Sequence, residues 1–337
     1  MLRILLLFFL LLNSLYAEEY EGEESSEYTL GEGIQAGSLP LYLGGYFSTD
    51  FRHKDGEHRY RVDDIALLAY GNYNKFSYMS ELEFKEFYAY NVGDGYSYID
   101  KDTSLHVERL FVDYTLNENY MFRLGKYNSP IGFWNLLPIN VLRDTSSNPI
   151  STEKIFPKFT TGALLSYTSF EENELQIDVI LQENRDVDPS YNNYEMDEHY
   201  GIGISYSYDF LTLKLNAGMF DNLEANNINT HLYYALASLK YETESFKILA
   251  ELGSQNAKDY WTTKYAGYLQ ASYNITDKHM AIVRTEAYDE QRSGMKDEMG
   301  ILAYTYRPLY PVAIKSEYQF HTLHNENQFI FSFSVLF

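Results

Sequence analysis

The chain has 337 residues, with 48 Asp and Glu against 26 Lys and Arg for a formal net charge of −22, and it combines 34 tyrosines and 21 phenylalanines with no cysteine. The missing cysteine excludes disulfide scaffolds, thiolate zinc sites and cysteine nucleophiles. The acidic balance argues against a nucleic-acid partner, because sequence-independent binding needs clustered Lys and Arg.

In chain order, the first element is an address. Arg3 precedes an unbroken apolar run from Ile4 to Leu12, Asn13 and Ser14 end that run, and Ala17 offers a small residue at a cleavage point. This pattern reads as a secretory signal peptide over residues 1–17. Residues 18–39 are a different material. Glu18, Glu19, Glu21, Glu23, Glu24, Glu27 and Glu32 crowd together, and no Lys or Arg occurs between Arg3 and Arg52. Uniform charge with few apolar groups cannot bury enough surface to offset chain entropy, so this stretch reads as an acidic flexible segment. A calcium- or partner-binding arm is the sharper alternative.

From residue 40 the chain alternates. Leu41, Leu43, Phe47 and Phe51 share one parity, while Ser48, Asp50 and Arg52 share the other. Successive strand side chains point to opposite faces, so the segment has one apolar and one polar face. The pattern recurs near 40–53, 58–72, 74–90, 104–116, 118–127, 159–169, 174–184, 198–210, 211–220, 229–242, 245–255, 261–274, 278–289, 298–307, 311–321 and 327–337. Clusters such as Asp221-Asn222, Asn226-Asn227, Asn274 with Asp277, and Asn325-Glu326-Asn327 punctuate it. Many runs match the roughly 9–11 residues that a tilted strand uses to cross a bilayer. The polar average argues against helical spans, each of which needs about 20 consecutive apolar residues. Pro40 and Pro311 fall at the first residue of a proposed strand, where proline is tolerated, and none of the eight prolines falls in a strand interior, where the missing amide hydrogen would break the ladder. The expected fold is therefore all-β: a transmembrane antiparallel β-barrel over 40–337 with about 16 strands, 14 to 18 given ordinary boundary error. Such a barrel also accounts for the tyrosines, whose rings suit lipid and whose hydroxyls suit the interface.

The strand pattern lapses at about 128–158, longer than an ordinary connection. This segment holds four prolines together with Trp134, Arg143, Asp144, Glu153 and Lys154. On polar-parity positions of the strands lie Glu81, Glu83 and Lys85; Arg109 and Asp113, which share their parity with Phe111; Arg123; Asp178; Lys247 and Glu251; Arg284 and Glu286; and Lys315 and Glu317. These are candidate pore-lining charges. Rings of charge are one way a wet pore selects ions; cross-strand pairs that merely hold the wall together are the other reading.

Three stretches carry a family resemblance. Arg123-Leu-Gly-Lys-Tyr-Asn-Ser-Pro-Ile-Gly-Phe133 resembles the glycine–lysine–proline–glycine stretch that ends a strand in Gram-negative porins of the phosphate-selective O and P type. Gly300 to Pro308, followed by Ala313 to Tyr318, resembles the last hairpins of that family. Terminal Phe337, with aromatic or apolar residues at alternate positions before it, is similar to the assembly signal of outer-membrane barrels. The resemblance implies a porin of the Gram-negative outer membrane, commonly trimeric, in contact with outer-membrane lipid and with the assembly machinery through Phe337. It also implies one long loop folded into the lumen, here 128–158, with Trp134, Arg143, Asp144, Glu153 and Lys154 as candidate constriction residues; an external surface loop is the alternative. Phosphate selectivity is not carried over, since the chain has only eleven arginines, one of them in the signal.

Chemistry is otherwise sparse. The eight histidines show no metal-ligand spacing, and no Gly-x-Ser-x-Gly elbow exists. Asp186, Asp188, Glu195, Asp197 and Glu198 form an acidic stretch read as a solvated external loop, with Ca²⁺ binding as the alternative; Asp94, Asp100 and Asp102 pose the same choice. The expectation is a non-enzyme without cofactor: a passive diffusion channel for small hydrophilic solutes or ions that prefers cations. A barrel acting through its external loops as adhesin or receptor, or a barrel-type lipid hydrolase, stands as the alternative.

Overall fold

The structure is a computed structural model that describes residues 28–170, 173–223, 229–291, 293–323 and 326–337. The signal peptide at 1–17, the first part of the acidic segment and the Asn226-Asn227 turn lie outside the described residues.

Nineteen strands share one sheet: β1 (Tyr28–Thr29), β2 (Gly33–Gln35), β3 (Tyr42–Lys54), β4 (Glu57–Tyr73), β5 (Phe76–Gly93), β6 (Tyr96–Asp100), β7 (Leu105–Thr115), β8 (Tyr120–Asn128), β9 (Phe159–Phe170), β10 (Glu174–Glu183), β11 (Glu198–Tyr208), β12 (Leu211–Leu223), β13 (Asn229–Glu242), β14 (Phe246–Asn256), β15 (Trp261–Thr276), β16 (His279–Glu290), β17 (Met295–Tyr306), β18 (Val312–His321) and β19 (Gln328–Leu336). Sixteen of them, β3 to β5 and β7 to β19, make an antiparallel barrel in which each pairs with the next. Closure is by β19 on β3, from Gln328 opposite Lys54 to Leu336 opposite Tyr46. Each expected strand corresponds to one barrel strand, with ends agreeing within three residues. Among the described residues no helix is long and apolar enough to cross a membrane; closed strands are the other way to satisfy every backbone group in lipid.

Connections sort to the two ends. Those on one end are two to five residues long, whereas the other carries the long segments 129–158 and 184–197. Also on that second end, β3 and β4 meet through Asp55 (φ +49°) and Gly56 (φ +84°). Two positive φ values make the tight turn whose twist matches paired strands. The outer face carries an apolar belt that includes Leu67, Leu124, Leu215, Leu252, Leu269 and Leu302, all exposed. Exposed Tyr73, Phe76, Tyr120, Phe170, Tyr208 and Tyr273 ring the short-turn end, and Tyr60, Tyr90, Tyr233 and Trp261 mark the other. This is an apolar band between aromatic girdles.

One boundary is corrected. The acidic segment, expected to be flexible through residue 39, is folded over its described part: β1 and β2 form a small hairpin, and Ile34 and Gln35 pair with Leu43 and Tyr42 of β3. The Tyr70 hydroxyl donates to the Glu32 carbonyl at 2.6 Å and the Tyr78 hydroxyl to the Pro40 carbonyl at 2.6 Å, so wall tyrosines offset the entropy of ordering it.

The packed core lies inside the barrel. Tyr127, Ile131, Ile155, Phe156, Phe220 and Tyr234 are buried in one cluster where the long loop packs on the wall. Among the described residues the loop contains only short 3₁₀ turns and one five-residue helix, α1 (Ile150–Lys154).

Candidate pore constriction

The chain enters the barrel interior just after β8. Ser129 N–H donates to the Lys158 carbonyl at 2.8 Å, closing the neck of the 129–158 loop. Gly132 (φ +68°) then turns the backbone against the wall; a Cβ there would stand 2.7 Å from Glu251 Oε1. That carboxylate accepts the Phe133 and Trp134 amides at 2.5 and 3.1 Å. Asn216 of β12 accepts the Gly132 amide and donates to the Pro130 carbonyl, both at 3.1 Å. Farther along, Asp144 receives Lys247 at 2.7 Å, Gln270 at 2.9 Å and Ser272 at 3.2 Å. Arg284 donates to Thr145 Oγ1 at 2.7 Å and Ser147 Oγ at 2.5 Å, Lys315 to Asn140 Oδ1 at 2.9 Å, and Glu317 accepts the Ser146 amide at 3.0 Å. Backbone groups without a regular ladder thus find charged partners on the inner wall from β12 to β18, and charge-assisted hydrogen bonds are the stronger kind.

A second segment enters as well. Lys126 Nζ pairs with Asp186 Oδ1 at 2.9 Å, both fully buried, and Asp186 also accepts from Thr161 and Asn192. Asp188 accepts the Val107 amide at 3.0 Å and lies 3.1 Å from His106 Nδ1. Tyr191 reaches β5 and β7, where its hydroxyl lies between Glu83 and Glu108. Segment 184–197 is therefore not a simple solvated loop. Asp186 and Asp188 are drawn inward by Lys126 and by the Val107 amide, whereas Glu195 stays exposed beside Arg185. Burial works against ionisation of Asp188, yet Ser190, the Val107 amide and His106 outweigh it and hold the carboxyl below its ordinary value.

What remains open is a cavity of about 1250 Å³ between these two loops and the wall, chiefly β3, β4, β5 and β7 together with Glu286 and Tyr288 of β16, Gln319 of β18 and Ile330 of β19. Ten carboxylates line it (Asp63, Asp64, Glu83, Glu86, Asp100, Asp102, Glu108, Glu153, Asp188 and Glu286) against six Lys or Arg (Arg52, Arg61, Lys85, Lys101, Arg143 and Lys158). The wall reaches this density by breaking alternation. Ladder register slips at Asp63, at Glu86–Phe87 and at Glu108. A bulge leaves an extra residue on one strand and re-aims its neighbours, so adjacent Asp63 and Asp64 both face the lumen, as do Glu108 and Arg109. Glu86 occupies the left-handed region there (φ +49°). On the loop side Lys158 pairs with Glu153 at 2.5 Å. Burial opposes charge on Glu153, but Lys158 and the Asn148 amide hold it below the ordinary carboxylate value; burial also lowers Lys158, with Lys85 and Arg143 adding to the effect against Glu153.

The expected site residues divide. Trp134, Arg143 and Glu153 border the cavity, whereas Asp144 is spent on the wall and Lys154 reaches Glu290 at 3.2 Å. Arg143 and Asp144 do not pair: Arg143 donates to the carbonyls of Leu137 and Pro138 instead. Of the strand charges, Glu83, Lys85 and Glu286 line the open space. Glu81 pairs with Arg109, and Asp113 with Arg123 at 2.6 Å. Phe111 also points in, with the Arg123 guanidinium 3.9 Å from its ring centre. Arg284, Lys315 and Glu317 face inward but are covered by the loop and serve as its anchors. Asp178 is hydrogen-bonded to Ser166 and Gln176. Parity missed Asp63, Glu108 and Tyr191, because bulges and a loop tip have no period to read. Among the described residues no group of three or more His, Asp or Glu is arranged to hold a metal ion.

A closed sixteen-stranded barrel around a polar cavity, with long loops folded inward, is the porin fold. The outer-membrane channel DcaP of Acinetobacter baumannii superposes with a TM-score of 0.59 at 11% identity over 88% of this chain and 97% of that one. An anion-selective porin from Comamonas acidovorans gives 0.61 at 12% identity over 88% and 99%, and OmpF of Salmonella typhi in complex with daunomycin gives 0.60 at 11% over 88% and 97%. No protein-family model and no curated protein matches the chain by sequence.

Proposed function

We propose that this protein is a porin of the Gram-negative outer membrane, a passive diffusion channel for small hydrophilic solutes and not an enzyme. The observation that carries the reading is the open, charge-lined cavity of about 1250 Å³ inside a closed barrel whose outer face is an apolar belt between aromatic girdles. A polar interior wrapped in an apolar exterior is what water-filled passage through lipid requires. The 129–158 and 184–197 loops narrow that passage. The excess of carboxylates over Lys and Arg along the cavity favours cations. Kinship with porins of the phosphate-selective O and P type, assembly as a homotrimer in outer-membrane lipid and recognition of Phe337 by the assembly machinery belong to the same reading. Phe337 is paired into the barrel seam, its amide donating to the Gly45 carbonyl at 2.8 Å and its carbonyl accepting from Gly45 at 2.7 Å. Calcium in the acidic loops is not part of it: Asp186 and Asp188 already have protein partners.

Purified protein with heat-modifiable gel mobility, reconstituted in planar bilayers, should give discrete ohmic current steps. Stable folding without any conductance would remove the channel reading in favour of a role for the external loops.

A further inference from the structure

Two histidines stand side by side on the outer face, at the end of the barrel that carries the long loops. His53, near the end of β3, and His58, near the start of β4, lie directly opposite one another across the Asp55-Gly56 turn. Their rings are stacked, with centres 4.6 Å apart and planes 25° from parallel. Phe51 lies beside them, its ring centre 5.8 Å from that of His58 and 4.9 Å from that of Tyr60. An aromatic girdle accounts for Phe51 and Tyr60 but not for two imidazoles, because each of these carries two ring nitrogens that need partners. Among the described residues neither histidine makes a hydrogen bond or an ion pair, and the Nδ1 atom of each is buried without a partner. A neutral imidazole keeps one nitrogen lone pair, so the two rings together offer two acceptors across a single strand gap.

That arrangement suits a metal ion. Directly opposed strand residues hold their Cβ atoms about 4.5–5.5 Å apart, and imidazole nitrogens at about 2.0–2.1 Å from one ion stand roughly 3 Å from each other. With ring centres already 4.6 Å apart, the rings need to reorient but the strands do not. The local charge does not oppose a cation. Lys54 pairs with Glu326 at 3.6 Å, Arg52 with Asp50 at 3.2 Å and Arg59 with Glu86 at 3.0 Å, while Glu57 adjoins His58 in the turn. The donor set also names the kind of ion. Two imidazoles suit borderline transition metals such as Ni²⁺, Cu²⁺ and Zn²⁺, whereas Ca²⁺ and Mg²⁺ take oxygen ligands. Water completes the shell, as the half-buried position of both side chains allows.

We propose that His53 and His58 form a two-imidazole site for a divalent transition-metal ion on the outer rim of the barrel. The site goes beyond the channel reading and stands apart from it, since both residues face away from the lumen, on the parity opposite to Arg52 and Arg59. A bound ion links β3 to β4 beside the seam, where His53 lies opposite Phe329 of β19, and thereby stabilises the closed barrel.

The test uses the untagged protein in detergent at about pH 7.5, since a metal-binding imidazole has to be neutral. Calorimetric titration with Ni²⁺ should show one site per chain, and saturating Ni²⁺ should raise the transition temperature in heat-modifiable gel migration by about 2 °C or more. His53→Gln and His58→Gln should each weaken Ni²⁺ binding about tenfold or more and remove the temperature shift, because a single imidazole does not chelate. His231→Gln, at an exposed histidine of β13, should change neither. Heat-modifiable mobility without metal verifies that each variant is folded. Absence of Ni²⁺ binding, binding that survives both substitutions, or loss in only one of the two variants overturns the site. An equal temperature shift with Ca²⁺ overturns it as well, since that would be charge screening in place of imidazole ligation. Conductance, which reads the channel, is a separate measurement, so failure of the metal site leaves the porin reading standing.

Discussion

At the scale of single residues, the inward loop depends on a few positions where backbone meets charge. Gly132 is the sharpest, because its φ of +68° strains any side chain and a Cβ there would press on the Glu251 carboxylate at 2.7 Å, displacing it from the amides it accepts. Gly132→Ala should destabilise the folded barrel by about 1–3 kcal/mol, read as a lower transition temperature in heat-modifiable gel migration; a temperature equal to wild type would contradict the strain argument. Asp188 supplies a pH prediction. Its folded-state carboxyl titrates below the ordinary aspartate value of 3.8, so its contribution is present above that value and is lost as pH falls through the lower one. Single-channel current should therefore be steady from about pH 7 to about pH 5 and become noisy only in more acid solution as the 184–197 segment loosens. In Asp188→Asn, which lacks the titrating group, that acid onset should weaken or vanish.

At the scale of elements, two loops do what sixteen strands alone do not. The strands enclose a space, and segment 129–158 then covers Arg284, Lys315 and Glu317 and leaves a cavity lined chiefly by β3, β4, β5 and β7, with Glu286 and Tyr288 of β16 also facing it. Deleting residues 140–152 should uncover those charges and raise single-channel conductance about twofold or more, on the reasoning that permeation follows the narrowest cross-section. An unchanged conductance would place the constriction elsewhere, with Tyr191 and the 184–197 segment the next place to look. The bulges at Asp63, Glu86–Phe87 and Glu108 act in the same place from the wall side by adding inward carboxylates where strict alternation would turn every second side chain to lipid.

At the scale of the whole molecule, the charge of −22 does not translate directly into the field seen by a permeating ion. Many wall charges are neutralised locally: Arg61 by Asp50, Asp63 and Glu86, Arg109 by Glu81, and Lys126 by Asp186. The ten carboxylates and six basic groups along the cavity leave a smaller acidic excess than the total suggests. Reversal potentials in a tenfold salt gradient should accordingly show a modest cation preference that weakens as salt screens the lumen. Clear anion selectivity would mean that Lys85, Arg143 and Lys158 dominate the carboxylates around them.

The strand count, the pairing order and the sign of each face were legible in the sequence. A strand has a period of two, and in a membrane barrel lipid and water enforce it residue by residue, as in Phe329, Phe331 and Phe333 alternating with Ile330, Ser332 and Ser334. That Glu83, Lys85, Arg284 and Lys315 all turn inward was legible for the same reason. Which of them meets solvent was not. Lys85 stays open while Lys315 is sealed beneath Asn140, and only the path of an aperiodic loop separates the two fates. The inward turns of Asp186 and Tyr191, and the doubling of Asp63 with Asp64, also lay beyond reading, because they depend on partners more than twenty residues away and on register slips in neighbouring strands. Local chain chemistry thus determined the barrel and its two faces. The tertiary structure decided the passage through it, because the lumen is whatever volume the loops leave unfilled.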